Sequence, residues 1–239
     1  HMDIASSIQS VTEEVMLRLT NSLAKEYKME NLCLAGGVAL NCVANGKILR
    51  NGKFKNIWIQ PAAGDAGGAI GAALGLWHIE LKKDRIINSN DGMHGSYLGP
   101  EYSQQEIEKK LKKIGANFKI LEEDKLIEKT SLALIEGKAI GWFQGRMEFG
   151  PRALGARSII ADSRSETMQK KLNLKVKYRE SFRPFAPSVI REDLSEWFDL
   201  NCDSPYMLLV AKVSDSKCRK MTKDEELLFG IDKLNIKRS

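Results

Sequence analysis

Leu34-Ala-Gly-Gly-Val-Ala-Leu-Asn41 and, about one strand and turn later, Gly64-Asp-Ala-Gly-Gly-Ala-Ile-Gly71 form two glycine-softened strand-to-helix turns. Leu32 to Ala35 is a short apolar run suited to a buried strand. It stops at Gly36-Gly37, where the backbone can bend sharply or approach a ligand with no Cβ in the way. A helix is predicted from near Val38, and its first amides, unpaired at the positive end of the macrodipole, favour an anion. Asn41 then falls one turn inside, within reach of a ribose or phosphate. The unit repeats at once: Ile57-Trp-Ile-Gln60 reads as a strand, Pro61 to Gly64 as a turn, and a second helix begins after Asp65. On that helix Ala66, Ala69, Ile70, Ala73, Leu74 and Trp77 recur at helical spacing and give one apolar face. Asp65 reads either as a helix N-cap or as a metal ligand, and Gly-Gly after a strand either as a plain turn or as a phosphate cradle. The two turns occupy equivalent ends of successive strands in one βαβα unit, where ligands of open α/β sheets gather. That coincidence favours a nucleotide and metal arrangement.

The chain has 239 residues, enough for one large or two modest domains, each with its own core. A hydrophobic content of 43% with 28% charged residues is that of a globular protein, not a disordered one. No run of eighteen apolar residues and no charged-apolar-small leader is visible, so neither a membrane span nor a secretory signal is expected. Cys33, Cys42, Cys202 and Cys218 show no paired metal spacing and are expected to be free thiols of a cytoplasmic protein, with Cys33 buried in its strand. The net charge of +6 is spread over solvated helix faces such as Lys109, Lys110, Lys112 and Lys113, which specify no nucleic-acid groove.

Along the chain, a helix is predicted over residues 4–27 with Ile8, Val11, Val15 and Leu19 on one side. The two βα units follow and end near Lys82. Residues 3–83 form one domain, 84–100 a polar linker and 101–239 a second domain. In the second, helices are expected around Ile107 to Ile114, from Asp124 to Ile135, from Glu166 to Leu174 and from Glu192 to Phe198. Strands are expected at Phe118 to Leu121, Ala139 to Phe143, Phe185 to Ile190 and Met207 to Val213. The tail after Cys218 is charged.

The arginines between Arg146 and Arg183 interleave with Gly, Pro and Phe in segments unsuited to long helices. The strand ending at Phe143 delivers Arg146 to its end, and Gly150-Pro151 turns the chain so that Arg152 and Arg157 can converge. Lys177 and Arg179, two apart, share one side of an extended segment, with Arg183 shortly after. Cations gathered in one place imply an anion among them, and a guanidinium fork suits a phosphate or carboxylate. The competing reading is a set of structural ion pairs with Glu148, Asp162 and Glu180.

Ala35-Gly-Gly-Val-Ala-Leu-Asn41, Gly64-Asp-Ala-Gly-Gly-Ala-Ile-Gly-Ala-Ala73, the segment Gly141-Trp-Phe-Gln-Gly-Arg-Met-Glu-Phe-Gly-Pro-Arg-Ala-Leu-Gly-Ala-Arg-Ser158, and Lys177-Tyr-Arg-Glu-Ser-Phe-Arg-Pro-Phe-Ala-Pro187 occur in that order. Over about residues 4–238 they resemble the O-carbamoyltransferases of nodulation-factor and antibiotic tailoring, relatives of tRNA threonylcarbamoylation proteins. The resemblance implies an α/β fold, with part of an actin-like, ribonuclease H-like ATPase domain followed by a carbamoyl-adenylate-forming domain. It implies activation of carbamoyl phosphate with ATP to carbamoyl adenylate, then transfer of the carbamoyl group to a hydroxyl of a small-molecule or saccharide acceptor. Gly36, Gly37 and Asn41 match the nucleotide-binding turn. Asp65 matches a metal-binding aspartate for a divalent ion such as Fe(II). Arg146, Arg152, Arg157, Ser158, Lys177, Arg179 and Arg183 are assigned to carbamoyl phosphate and ATP.

One departure stands out. The family's His-x-x-x-His pair is missing, since His1, His78 and His94 have the wrong spacing. The chain is therefore expected to be a carboxy-terminal piece lacking the first actin-like half and truncated at its end, poor in metal binding and inactive in transfer. The alternatives are an actin-like sugar or acetate kinase, an RNA-binding module related to tRNA modification, and a non-catalytic scaffold.

Overall fold

The computed structural model describes residues 1–87 and 91–236. Residues 88–90 of the expected linker and 237–239 of the expected tail lie outside the described residues. The fold is mixed α/β and divides into two compact units. His1–Pro100, Arg146–Ala156 and Cys202–Ala211 make the first; Glu101–Gly145, Arg157–Asn201 and the chain from Lys212 make the second. The units are thus discontinuous, unlike the contiguous segments read from the sequence. Two short pieces from the later half complete the first unit because they carry part of its core, including buried Ala156, Tyr206 and Leu208.

In the first unit, α1 (Met2–Tyr27) leads to β1 (Asn31–Leu34), a 3-10 turn (Gly37–Leu40), α2 (Cys42–Asn51), β2 (Asn56–Ile59) and α3 (Asp65–Gly75), which runs on as a π turn over Leu76–Glu80. β1 and β2 pair in parallel, from Asn31 opposite Asn56 to Leu34 opposite Ile59. Ala39, Ile59, Ala63, Met93, Tyr206 and Leu208 form one core cluster. Leu32, Ile48 and Phe54 form the other, against which Met16, Leu17 and Ala24 pack.

The buried stripe of α1 is therefore not the expected one. Glu13 and Thr20 are buried beside Met16 and Leu17, whereas Ile8 and Leu19 are 63% and 60% exposed. The expected apolar face of α3 is open too: no α3 residue is buried, and Ile70 alone packs partly against the core. Cys33 is exposed on β1 rather than buried, because nothing covers that side of the strand among the described residues.

The second unit holds α4 (Gln104–Lys113), α5 (Glu123–Ile135), β3 (Ile140–Phe143), β4 (Arg157–Ile160), α6 (Met168–Lys175), α7 (Leu194–Trp197) and α8 (Lys223–Leu227). Ser103 with Glu106, and Thr222 with Glu225, close reciprocal capping boxes that fix the starts of α4 and α8. β3 and β4 pair antiparallel, and β4 was not anticipated. The strands expected at 118–121 and 185–190 do not form. Pro184 and Pro187 remove two ladder donors at the latter. The segment 207–213 makes no ladder beyond a single bridge from Val213 to Phe198. Its Leu208 and Val210 carbonyls bond instead to the Asn45 and Arg50 side chains.

Candidate functional site

The turns after β1 and β2 meet. The Gly36 amide donates to the Ala63 carbonyl at 2.9 Å, and the Ala39 amide returns to the Gly36 carbonyl at 3.0 Å. Gly36 has φ 95 and ψ 161, a conformation open to glycine alone. A Cβ placed on Gly36 or Gly37 would meet nothing within 4 Å, so the space over this turn is free for a ligand. Gly67, one turn into α3, is held close: its Cβ would stand 2.2 Å from the Ala62 carbonyl oxygen.

Asn41 does not sit inside a helix aimed at a ligand. It is the N-cap of α2, its Oδ1 accepting the Ala44 amide at 3.1 Å. Its amide also pairs with that of Gln9, donating to Gln9 Oε1 at 2.9 Å and accepting from Gln9 Nε2 at 3.2 Å. Gln9 continues to Glu13 at 2.8 Å, and Glu13 to Lys47. These bonds, chiefly that from Lys47, hold the Glu13 carboxyl below its ordinary value.

Arg152 is brought to the same turn. Its Nη2 donates to the Leu40 carbonyl at 3.2 Å, and its Nε is buried with no hydrogen-bond partner. The loop that carries it is closed by buried Glu148, whose Oε1 accepts the amides of Leu154 and Ala156 at 2.7 and 2.8 Å. Gly150, at φ 138, lets the loop press against Pro61 and Ala62. Glu148, an ion-pair partner in the competing sequence reading, shapes the loop by accepting these two amides. Arg146, on the same stretch, donates to the Gly99 carbonyl at 3.0 Å.

Asp65 is the first residue of α3 and exposed, while Gly64 occupies the N-cap position, so the N-cap reading of Asp65 fails. Among the described residues no three His, Cys, Asp or Glu side chains gather in a way that could hold a metal ion. The residues present therefore do not make a metal site, and Asp65 stands as one carboxylate without co-ligands.

The remaining predicted cations belong to the second unit. Arg157, at the start of β4, donates to the carbonyls of Gln144 and Gly145 at 2.8 and 3.1 Å and lies 3.4 Å over the ring of Phe143, its cross-strand partner. Ser158 is half-buried next to it, opposite Trp142. Lys177 and Arg179 do not share an extended segment. Tyr178 between them has φ 49, so the chain turns there. The organiser of this turn is Asn173, fully buried at 0% exposure, which sequence reasoning missed. Its Nδ2 donates to the Ser181 and Arg183 carbonyls at 3.1 and 2.8 Å, and its Oδ1 accepts Arg179 Nε at 2.6 Å. Arg179 also stacks over Phe185, and Lys177 and Arg183 have exposed side chains. Asp162 pairs with Arg164 rather than with the predicted arginines.

Apart from Arg146 and Asp65, the predicted residues thus fall into three groups: Gly36, Gly37, Asn41 and Arg152 at the tied turns; Arg157 and Ser158 on β4; and Lys177, Arg179 and Arg183 around Asn173. Two parts of one family match the chain, the carbamoyltransferase N-terminus over residues 1–74 and the carbamoyltransferase C-terminus over residues 131–225. The chain belongs to the carbamoyltransferase family. An uncharacterised protein of Synechocystis is 60% identical over 240 residues, covering 100% of this chain and 39% of the relative. Nodulation protein NolNO of Sinorhizobium fredii is 41% identical over 221 residues, covering 91% of this chain and 32% of its own length. The 3'-hydroxymethylcephem-O-carbamoyltransferase of Streptomyces clavuligerus is 32% identical over 184 residues, covering 77% and 33%. The chain therefore spans about two fifths or less of these curated relatives. Within this carbamoyltransferase sequence, the tied turns fall inside the N-terminal match, and the arginine segments inside the C-terminal one. No described helix is long and apolar enough to cross a membrane.

Proposed function

We propose that this chain is part of an enzyme that activates carbamoyl phosphate with ATP and transfers the carbamoyl group to a hydroxyl of a small-molecule or saccharide acceptor. The observation that carries the reading is Arg152, a cation with a buried, unpartnered Nε held beside an open glycine turn. A buried donor without an acceptor is costly, and a phosphate oxygen would supply one. Gly36 and Gly37 leave room for that phosphate to approach, and Arg152 orients it. Water would take the phosphoryl group of carbamoyl phosphate, and the carbamate so released would displace pyrophosphate from ATP, giving carbamoyl adenylate with phosphate and pyrophosphate as co-products. AMP leaves when the hydroxyl takes the carbamoyl group. Arg157, Ser158, Lys177, Arg179 and Arg183 are proposed to hold carbamoyl phosphate and ATP in the carbamoyl-adenylate-forming part.

The actin-like arrangement is proposed for the first unit. It is supported by the parallel β1–β2 pair with a helix after each strand, by the free edge of β1, and by the exposed apolar faces of α1 and α3. Parallel sheets are normally covered on both faces, so further α/β structure beside β1 fits these surfaces. None of the four cysteines is in a disulfide, which favours a cytoplasmic setting.

A thermal-shift titration with ATP, carbamoyl phosphate and both together tests the reading. ATP at about a hundred times its dissociation constant stabilises by about 2.7 kcal/mol, and Arg152→Ala abolishes that stabilisation. Equal protection of both proteins, or none of the unaltered one, overturns it.

A further inference from the structure

Among the described residues the Arg152 side chain makes one hydrogen bond, at 3.2 Å to the Leu40 carbonyl. One bond does not fix a long side chain, so its placement falls to the backbone beneath it. The ends of that loop are Phe149 and Leu154, and consecutive residues of a segment distant in sequence hold them. Ser96 grips Phe149 at both backbone groups: its carbonyl accepts the Phe149 amide and its hydroxyl donates to the Phe149 carbonyl, each at 2.7 Å. Tyr97 donates its hydroxyl to the Leu154 carbonyl at 2.6 Å, while the Leu154 amide goes to Glu148. Only Gly150-Pro151-Arg152-Ala153 lie between the held residues, and the ring of Pro151 fixes its φ.

The grip is itself braced. The Asp91 carboxylate accepts the Met93 and Gly95 amides at 3.0 and 2.8 Å and the Tyr206 hydroxyl. His94, Gly95 and Ser96 then take φ of 49, 67 and 69, turning the chain so that neighbours in sequence reach opposite ends of the loop. The left-handed region is costly for a serine, and this one is buried at 1% exposure. Strain of this kind persists where the surroundings impose it, and it gathers at functional sites. Beyond Tyr97 the two segments stay paired. The Gly99 amide donates to the Met147 carbonyl at 2.9 Å, and the Met147 amide to the Pro100 carbonyl at 3.0 Å.

We infer that Ser96 and Tyr97 are positioning residues for Arg152: they hold both ends of its loop and thereby set the affinity for ATP through a side chain other than their own. The effect on ATP rests on the proposal that Arg152 orients a phosphate. The hold on the Arg152 side chain does not, and it is read without any ligand.

The test follows the Arg152 Nε proton by NMR of the ¹⁵N-labelled, ligand-free chain, its signal identified by its absence from Arg152→Ala. Tyr97→Phe keeps the ring and removes the bond to Leu154. Ser96→Gly removes the hydroxyl bond to Phe149 but relieves the strained φ, so its melting temperature stays near that of the unaltered chain. In both variants the Nε proton is expected to exchange with water about tenfold faster, and calorimetry to give an ATP dissociation constant about tenfold higher. Ile48→Val, a truncation in the other core cluster, lowers the melting temperature and leaves both readouts as they are. Equal exchange in the unaltered chain and the two loop variants overturns the inference, as does equal quickening in Ile48→Val or unchanged ATP affinity beside quickened exchange. If the unaltered chain binds no ATP, the ATP reading falls by itself, and quickened exchange confined to the two loop variants still upholds the hold on Arg152.

Discussion

The Gly36 amide and the Ala63 carbonyl, 2.9 Å apart, join the loops that follow β1 and β2 into one hydrogen-bonded piece. The backbone at Gly36 reaches this bond only through its φ of 95. Gly36→Ala is expected to cost about 1–3 kcal/mol, a drop of about 2–4 °C in melting temperature per kcal/mol for a chain of this size. Gly37→Ala, with open space at its Cβ, leaves the melting temperature nearly unchanged. Circular dichroism melts of the two variants check the contrast.

Two neighbouring glycines of α3 separate packing from propensity. A Cβ at Gly67 would meet the Ala62 carbonyl at 2.2 Å, whereas one at Gly68 would meet nothing within 4 Å. Gly67→Ala should destabilise by several kcal/mol or prevent folding, since backbone has to shift. Gly68→Ala should stabilise by up to about 1 kcal/mol, because alanine is the better helix former. Urea denaturation of each variant reads the difference.

Glu148 holds the Arg152 loop by accepting two amides. Glu148→Gln replaces a charged acceptor by a neutral one and is expected to cost about 1–3 kcal/mol of stability. It should also weaken ATP binding, through the loosened Arg152. Calorimetric titration of ATP against the variant measures that loss.

Much of the site was legible because glycine and proline carry backbone information in their identity alone. The positions of β1, β2, α3 and the turns between them follow from Gly36-Gly37 and from Pro61 to Gly64. The wrong face of α1 followed from counting apolar residues. Ile8, Val11, Val15 and Leu19 make a convincing stripe, but the core instead receives Met16, Leu17 and Ala24, with Thr20 bonding back to the Met16 carbonyl at 2.8 Å. Nothing local in a sequence says which of two stripes finds a partner. Asn41, Asn45 and Asn173 were opaque for a related reason, since an amide's role depends on carbonyls distant in the chain, as with Leu208 for Asn45. β4 was hidden by its arginine, and the extended segments at 118–121 and 185–190 misled because alternation cannot supply a partner strand.

Acid should loosen α1. Lys47 and Gln9 hold the Glu13 carboxyl below its ordinary 4.5, so the folded chain binds that proton less tightly than the unfolded one. The stabilisation is full above the unfolded value and is lost as pH falls through the folded one. Melting temperatures measured between about pH 6 and pH 3 should fall less steeply for Glu13→Gln than for the unaltered chain, with Glu13→Gln the less stable near neutrality.

The open stripe of α1 should make the chain associate with itself. Replacing Ile8 and Leu19, both well exposed, by glutamine is expected to reduce the weight-average mass seen in sedimentation. The melting temperature should stay within about 0.5 kcal/mol equivalent, as for other exposed positions.

Arg146–Ala156 and Cys202–Ala211 belong with residues that precede them by a hundred positions or so. A genetic crossover placed between 101 and 145 would therefore marry one parent's glycine turns to another parent's Arg152. Chimeras of these proteins should tolerate exchange of the β3, α6 or α8 regions as inserts far better than exchange of whole halves, and inheritance of the first unit should be all or nothing.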